Sequence, residues 1–70
     1  MKTLQVHLNG RDTMLREDCV TVDDLLTDSP WNRERILVEL NGTVVRKEAY
    51  PSTRLSEGDR IELVHFVGGG

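Results

Sequence analysis

The sequence predicts an α+β fold, a mixed sheet of four to five strands with one helix packed across it. Three observations lead there. Short alternating apolar runs read as strands, two of them end in Asn-Gly, and one capped amphipathic segment stands alone between them. Runs of strands around a single helix bury their apolar faces most simply as a helix laid on one sheet face.

Leu4-Gln5-Val6-His7-Leu8 alternates apolar and polar residues, the pattern of a half-buried strand. Asn9-Gly10 follows, and both residues tolerate the positive φ of a two-residue hairpin turn. A second strand is predicted from Arg11 to Glu17, with Met14 as its clearest apolar contact. Thr21-Val22-Asp23-Asp24 opens a helix: Thr21 caps, Asp24 stands three residues on in a capping-box position, and both aspartates favour the positive end of the dipole. Val22, Leu25 and Leu26 share one helical face, and Pro30 stops the helix near Asp28 or Ser29.

Ile36-Leu37-Val38-Glu39-Leu40 is a dense β-forming run ending in Asn41-Gly42, and Thr43-Val44-Val45 returns as a short strand. Arg46 to Ser56 reads as polar and irregular, with Tyr50-Pro51 as an anchor. After a turn at Glu57-Gly58-Asp59, the longest strand runs from Arg60 to Val67. The first and last strands are expected at the centre of the sheet. The expected core is Val6, Leu8, Leu25, Leu26, Val38, Leu40, Ile61 and Leu63.

Seventy residues make one domain. A chain this short buries only about 60% of its unfolded surface, enough for one core but not for a core and a deep substrate pocket. Twelve acidic residues against nine basic give a net charge of −3, with none of the basic clustering that nucleic acid would require. One cysteine, Cys19, excludes a disulfide framework and suits a reducing cytoplasm. The first residues lack the apolar run of a signal peptide, no stretch approaches a membrane span, and Gly68-Gly69-Gly70 has the look of a native end.

The side chains offer no catalytic constellation: no nucleophile elbow, no phosphate loop, no Cys/His cluster at metal spacing. Cys19 beside Val20 reads as a small hydrophobe rather than a sulfur-handling thiol. His7 and His65 lie in strands expected to be adjacent, but two histidines without a third ligand make a poor metal site, and a packing or edge role suits them better. Helix capping accounts for Asp23 and Asp24. Trp31 reads as closing the core after the helix, and Arg33 to Arg35 as a solvated charge cluster. Alternation in the last strand carries more information. If Ile61 and Leu63 face the helix, then Val64 and Phe66 face outward with Glu62, and if Ile36, Val38 and Leu40 face inward, Leu37 faces outward. Leu37, Val64 and Phe66 are therefore a candidate partner-docking patch near the end of the chain.

That end is the unusual feature. A long apolar strand runs directly into Gly68-Gly69-Gly70. Together with Thr21-Val22-Asp23-Asp24-Leu25-Leu26, with Val38-Glu39-Leu40-Asn41-Gly42-Thr43-Val44-Val45-Arg46-Lys47-Glu48, and above all with Gly58 through Gly70, it makes the chain resemble the ThiS family of ubiquitin-like sulfur carriers. The family ends in a diglycine, which here is preceded by a third glycine, Gly68.

The resemblance implies a β-grasp domain over residues 1–67 and a flexible glycine tail over 68–70. It implies a monomeric carrier, not an enzyme, with no cofactor of its own. An E1-like, ThiF-like adenylyltransferase would consume ATP to activate the Gly70 carboxylate. Sulfur from a cysteine desulfurase would then give a thiocarboxylate, and a ThiG-like thiazole synthase would take that sulfur for the thiazole ring of thiamine. Gly68 and Gly69 would let the tail thread narrow clefts, since glycine allows close backbone approach. Carriers of the same design are alternatives, the small subunit of molybdopterin synthase among them. So are a ubiquitin-like modifier joined through Gly70 to lysine amines, and a structural β-grasp module whose glycines carry no chemistry.

Overall fold

A computed structural model of the chain describes residues 3–27 and 33–65. The expected helix end at Asp28 or Ser29, Trp31, Phe66 and the glycine tail lie outside the described residues. The elements are β1 (Leu4–Leu8), β2 (Arg11–Leu15), α1 (Val22–Thr27), a 3-10 turn at Arg33–Arg35, β3 (Ile36–Leu40), β4 (Thr43–Val45), a 3-10 helix at Lys47–Ser52, and β5 (Arg60–His65).

The sheet order is β2-β1-β5-β3-β4, with β5 in the middle and β1 beside it, as the hydrophobicity of those two strands predicts. β1 and β5 run parallel, and every other pairing is antiparallel. Both Asn-Gly turns have the expected backbone: φ is 51° at Asn9 and 81° at Gly10, and 53° at Asn41 and 87° at Gly42. Positive φ at both central residues twists the turn in the sense of the strands it joins.

The two turns also clamp β5 from either side. Asn9 Oδ1 accepts from the Leu63 amide at 2.8 Å, and the Asn9 amide donates to the Ile61 carbonyl at 2.9 Å. On the other flank Asn41 Oδ1 accepts from the Arg60 amide at 2.9 Å, the Asn41 amide donates to the Arg60 carbonyl at 2.7 Å, and Asn41 Nδ2 donates to Asp59 Oδ1 at 3.0 Å. These bonds satisfy backbone groups of the central strand beyond the reach of the ladder.

The core fills the space between the sheet and α1. Val6, Leu25, Leu26, Val38, Ile61 and Leu63 are buried as expected, while Leu8 and Leu40 are half-buried at its margin. Val22, Ile36, Tyr50 and Cys19 join it as their sequence settings suggested. The second strand corrects the sequence reading. Met14 is 61% exposed and Leu15 is buried. Leu4 pairs with Leu15 and Gln5 with Met14, so β2 turns Leu15 to the helix side and Met14 to solvent.

The segment read as irregular also has order. Its 3-10 helix carries the buried Tyr50, and Thr53 Oγ1 donates to the Ala49 carbonyl at 2.7 Å. The chain is then stitched to the start of α1: the Val22 amide donates to the Thr53 carbonyl at 2.9 Å and the Leu55 amide to the Val20 carbonyl at 2.8 Å. Leu55 is thereby held in the core.

Candidate functional site

The strand that leads towards the end of the chain is the central strand of the sheet. Before it, Gly58 adopts φ 84° and its amide donates to the Gln5 carbonyl at 2.8 Å. Glu57 Oε1 accepts from the Gln5 amide at 3.0 Å, and Asp59 Oδ2 accepts from the Ser56 amide at 2.7 Å. The His7 amide donates to the Asp59 carbonyl at 2.8 Å. Paired on both sides, β5 then runs to His65, opposite Ile36 at the start of β3.

Its alternation is clean. Ile61 and Leu63 are buried under α1, while Arg60, Glu62 and Val64 face the other way. In β3, Ile36 and Val38 are buried and Leu37 and Glu39 are half-buried on the opposite face. Leu37 pairs directly with Val64, which is 47% exposed. The structure thus brings together two of the three residues expected in the docking patch, and Phe66 lies outside the described residues. No described element packs on this outer sheet face. Val44, 50% exposed and paired with Glu39, lies on it as well, a contribution that needed the β3–β4 register to find. The register also sets Glu39 directly opposite Glu62.

The remaining candidates fall into structural roles. His7 and His65 do lie on adjacent strands, but His7 is in register with Arg60, five residues before His65, which separates them by about 16 Å along the strand. His7 Nδ1 instead lies 2.7 Å from Asp12 Oδ1, a cross-strand pair on the outer face. Cys19 is buried beside Leu15 and Leu25, under a shallow depression bounded by Met14 and Arg16. Lys47 pairs with Glu34 at 2.9 Å across the two 3-10 segments. Among the described residues no three His, Cys, Asp or Glu side chains gather as metal ligands. The Asp24 carboxyl is held below its ordinary range, first by the Val20 amide and then by the Thr21 amide, with desolvation opposing and the Thr21 hydroxyl adding a smaller lowering. Those groups form a helix cap, so the shift reports folding chemistry.

What the geometry offers is a rigid central strand, an open face beside its end with an apolar pair at its centre, and a glycine sequence after it. An exposed apolar pair on an open sheet face suits contact with another protein. The chain is similar to known proteins over nearly its whole length. The model of the ThiS family matches residues 5–70. The sulfur carrier protein ThiS of Bacillus subtilis is 40% identical over 93% of this chain and 98% of its own length. A thiazole synthase of Magnetococcus marinus is 39% identical over 96% of this chain, which spans 20% of that enzyme. The crystal structure of the thiamine biosynthesis protein ThiS from Geobacter metallireducens superposes with a TM-score of 0.82 at 32% identity, covering 96% of this chain and all of the other. The shared architecture is the β-grasp arrangement of one helix across a mixed five-stranded sheet.

Proposed function

The chain belongs to the ThiS family, and from that premise we propose that it is a sulfur carrier of thiamine biosynthesis whose reactive group is the Gly70 carboxylate. The observation that carries this reading is the near end-to-end match to the Bacillus carrier, in a chain whose central strand leads to the glycines.

The chemistry follows from what a carboxylate lacks. Its full negative charge makes it a poor electrophile. An activating enzyme joins the Gly70 carboxylate to the α-phosphorus of ATP, releasing pyrophosphate and leaving a neutral acyl carbon with AMP as leaving group. A persulfide derived from a cysteine desulfurase attacks that carbon and expels AMP. A second thiol cleaves the resulting S–S bond and leaves the thiocarboxylate. The domain over residues 1–67 supplies recognition through Leu37, Val64 and Phe66. Gly68 and Gly69 bring the terminus into partner clefts that a Cβ would obstruct. ATP belongs to the partner. Thiazole synthase is the proposed sulfur acceptor, supported by the similar segment inside the Magnetococcus enzyme.

The test is removal of Gly70, or extension by one residue beyond it. Either change should abolish pyrophosphate exchange by the activating enzyme while leaving thermal stability close to that of the parent, because the core lies within residues 6–63. In the unaltered protein, exchange of one carboxylate oxygen for sulfur adds about 16 Da, and alkylation at the terminus separates it from side-chain oxidation. Continued thiolation of a chain lacking Gly70 would overturn the reading.

A further inference from the structure

Asn9 does for β5 what the next residue of β1 would do if that strand went on. β1 and β5 run parallel, with His7 opposite Arg60 and Leu8 opposite Ile61, and the pairing ends there because the chain turns away into β2. Continued by one step, that register sets Asn9 opposite Glu62. A residue so placed in a parallel ladder donates its amide to the carbonyl before its partner, and its own carbonyl accepts from the amide after it. Asn9 makes the first bond in the ordinary way, to the Ile61 carbonyl at 2.9 Å. Its φ of 51° turns the main chain out of the strand direction. The Leu63 amide donates instead to the side-chain Oδ1, at 2.8 Å. The asparagine side chain thus stands in for a main-chain carbonyl and adds one rung to the ladder.

That rung lies where β5 has least support. β3 accompanies β5 as far as the pairing of Ile36 with His65, but past Asn9 no described strand runs along the other flank. A strand laddered on one side only takes a larger and looser twist against its remaining partner. Leu63 stands seven residues before Gly70, so the twist of this stretch sets where the glycines begin. We propose that Asn9 is a positioning residue for activation of the Gly70 carboxylate, its Oδ1 fixing the direction in which β5 hands the glycines to the activating enzyme. This rests on the carrier reading above and adds to it a residue that acts far from the terminus. Asn41 supplies the internal control. It has the same turn geometry, with φ 53°, and its Oδ1 accepts from the Arg60 amide at 2.9 Å, but at the start of β5, where strands flank both sides.

Glycine at either position keeps the left-handed turn and removes the oxygen. Asn9→Asp restores an oxygen acceptor in a residue that tolerates positive φ. N9G and N41G should each melt a few degrees below the parent. In pyrophosphate exchange, N9G should lose about fivefold in kcat with the KM for the carrier within about twofold of the parent, since misplaced reacting groups slow the chemical step. N9D and N41G should keep the parental kcat. Amide exchange at Leu63 should be fast in N9G and slow in the parent and in N9D. A freely exchanging Leu63 amide in the parent overturns the proposal by itself, whether or not N9G folds. So does a parental kcat in a folded N9G, an equal kcat loss in N41G, or a failure of N9D to restore the rate; in each case the parent is still activated and the carrier reading stands. A parent that no activating enzyme modifies overturns both.

Discussion

Thr21 and Asp24 cap each other. The Asp24 amide donates to Thr21 Oγ1 at 3.1 Å, the Thr21 amide donates to Asp24 Oδ2 at 3.0 Å, and the Val20 amide joins the same oxygen at 2.9 Å. Three amides that the short helix α1 leaves unpaired are satisfied within four residues.

The carboxylate form of Asp24 is the one these amides stabilise, so its pKa in the folded chain lies below the ordinary 3.8. A depressed carboxyl contributes stability fully above its unfolded pKa and loses it as pH falls through the folded one. The melting temperature should therefore decline below about pH 4 more steeply in the parent than in Asp24→Asn, with the two curves converging at the acid end. Parallel curves would remove Asp24 from the acid response. Thr21→Ala, which removes the other half of the box, should cost about 1 kcal/mol at neutral pH and lower the midpoint by about 4–8 °C.

β2 separates two apolar neighbours that the sequence does not. Leu15→Ala empties a buried site under α1 and should cost about 2–4 kcal/mol in chemical denaturation, enough to threaten so small a fold. Met14→Ala, at a site 61% exposed, should stay within about 0.5 kcal/mol of the parent. The reverse ranking would mean that the register of β2 against β1 is slipped by one residue.

These two residues show where sequence reasoning stopped. The Asn-Gly turns, the capping box and the alternation of β1, β3 and β5 are local signals, and each emerged with its expected partners. In β2 the run Arg11-Asp12-Thr13-Met14-Leu15 has no alternation of its own, and only pairing with Leu4 and Gln5 decides which apolar residue turns inward. Leu55 and the 3-10 helix around Tyr50 were hidden for a related reason. Their order comes from backbone bonds to Val20 and Val22, more than thirty residues away along the chain. The outward apolar pair was legible in part: alternation placed Leu37 and Val64 outward, but their direct pairing, and the opposition of Glu39 to Glu62, are consequences of register between strands.

Cys19 is 7% exposed and packs in the core with Leu15 and Leu25. A buried cysteine acts as a small hydrophobe, so Cys19→Ala should lower stability by about 1 kcal/mol and leave thiocarboxylate formation intact. A well-folded Cys19→Ala protein that the activating enzyme adenylates but cannot thiolate would place sulfur chemistry on this side chain after all.

Leu63 and Val64 are neighbours in β5 with opposite fates, which allows folding and docking to be measured separately. Leu63 is 5% exposed beneath α1, and Leu63→Ala should cost about 2–4 kcal/mol of stability. Val64 is 47% exposed and stands in register with Leu37 across the strand pair, so Val64→Ala removes two methyl groups from a surface and should shift the melting point little. If the outer face docks partners, those methyl groups become buried only in the complex. Their loss then appears in the KM for the carrier, raised about fivefold for roughly 1 kcal/mol of contact, with kcat unchanged because the glycine tail still reaches the reacting site. A Val64→Ala protein with parental KM toward both the activating enzyme and thiazole synthase would show that the partners grip another face. A fall in kcat alone would instead place Val64 in the positioning of the tail rather than in the encounter.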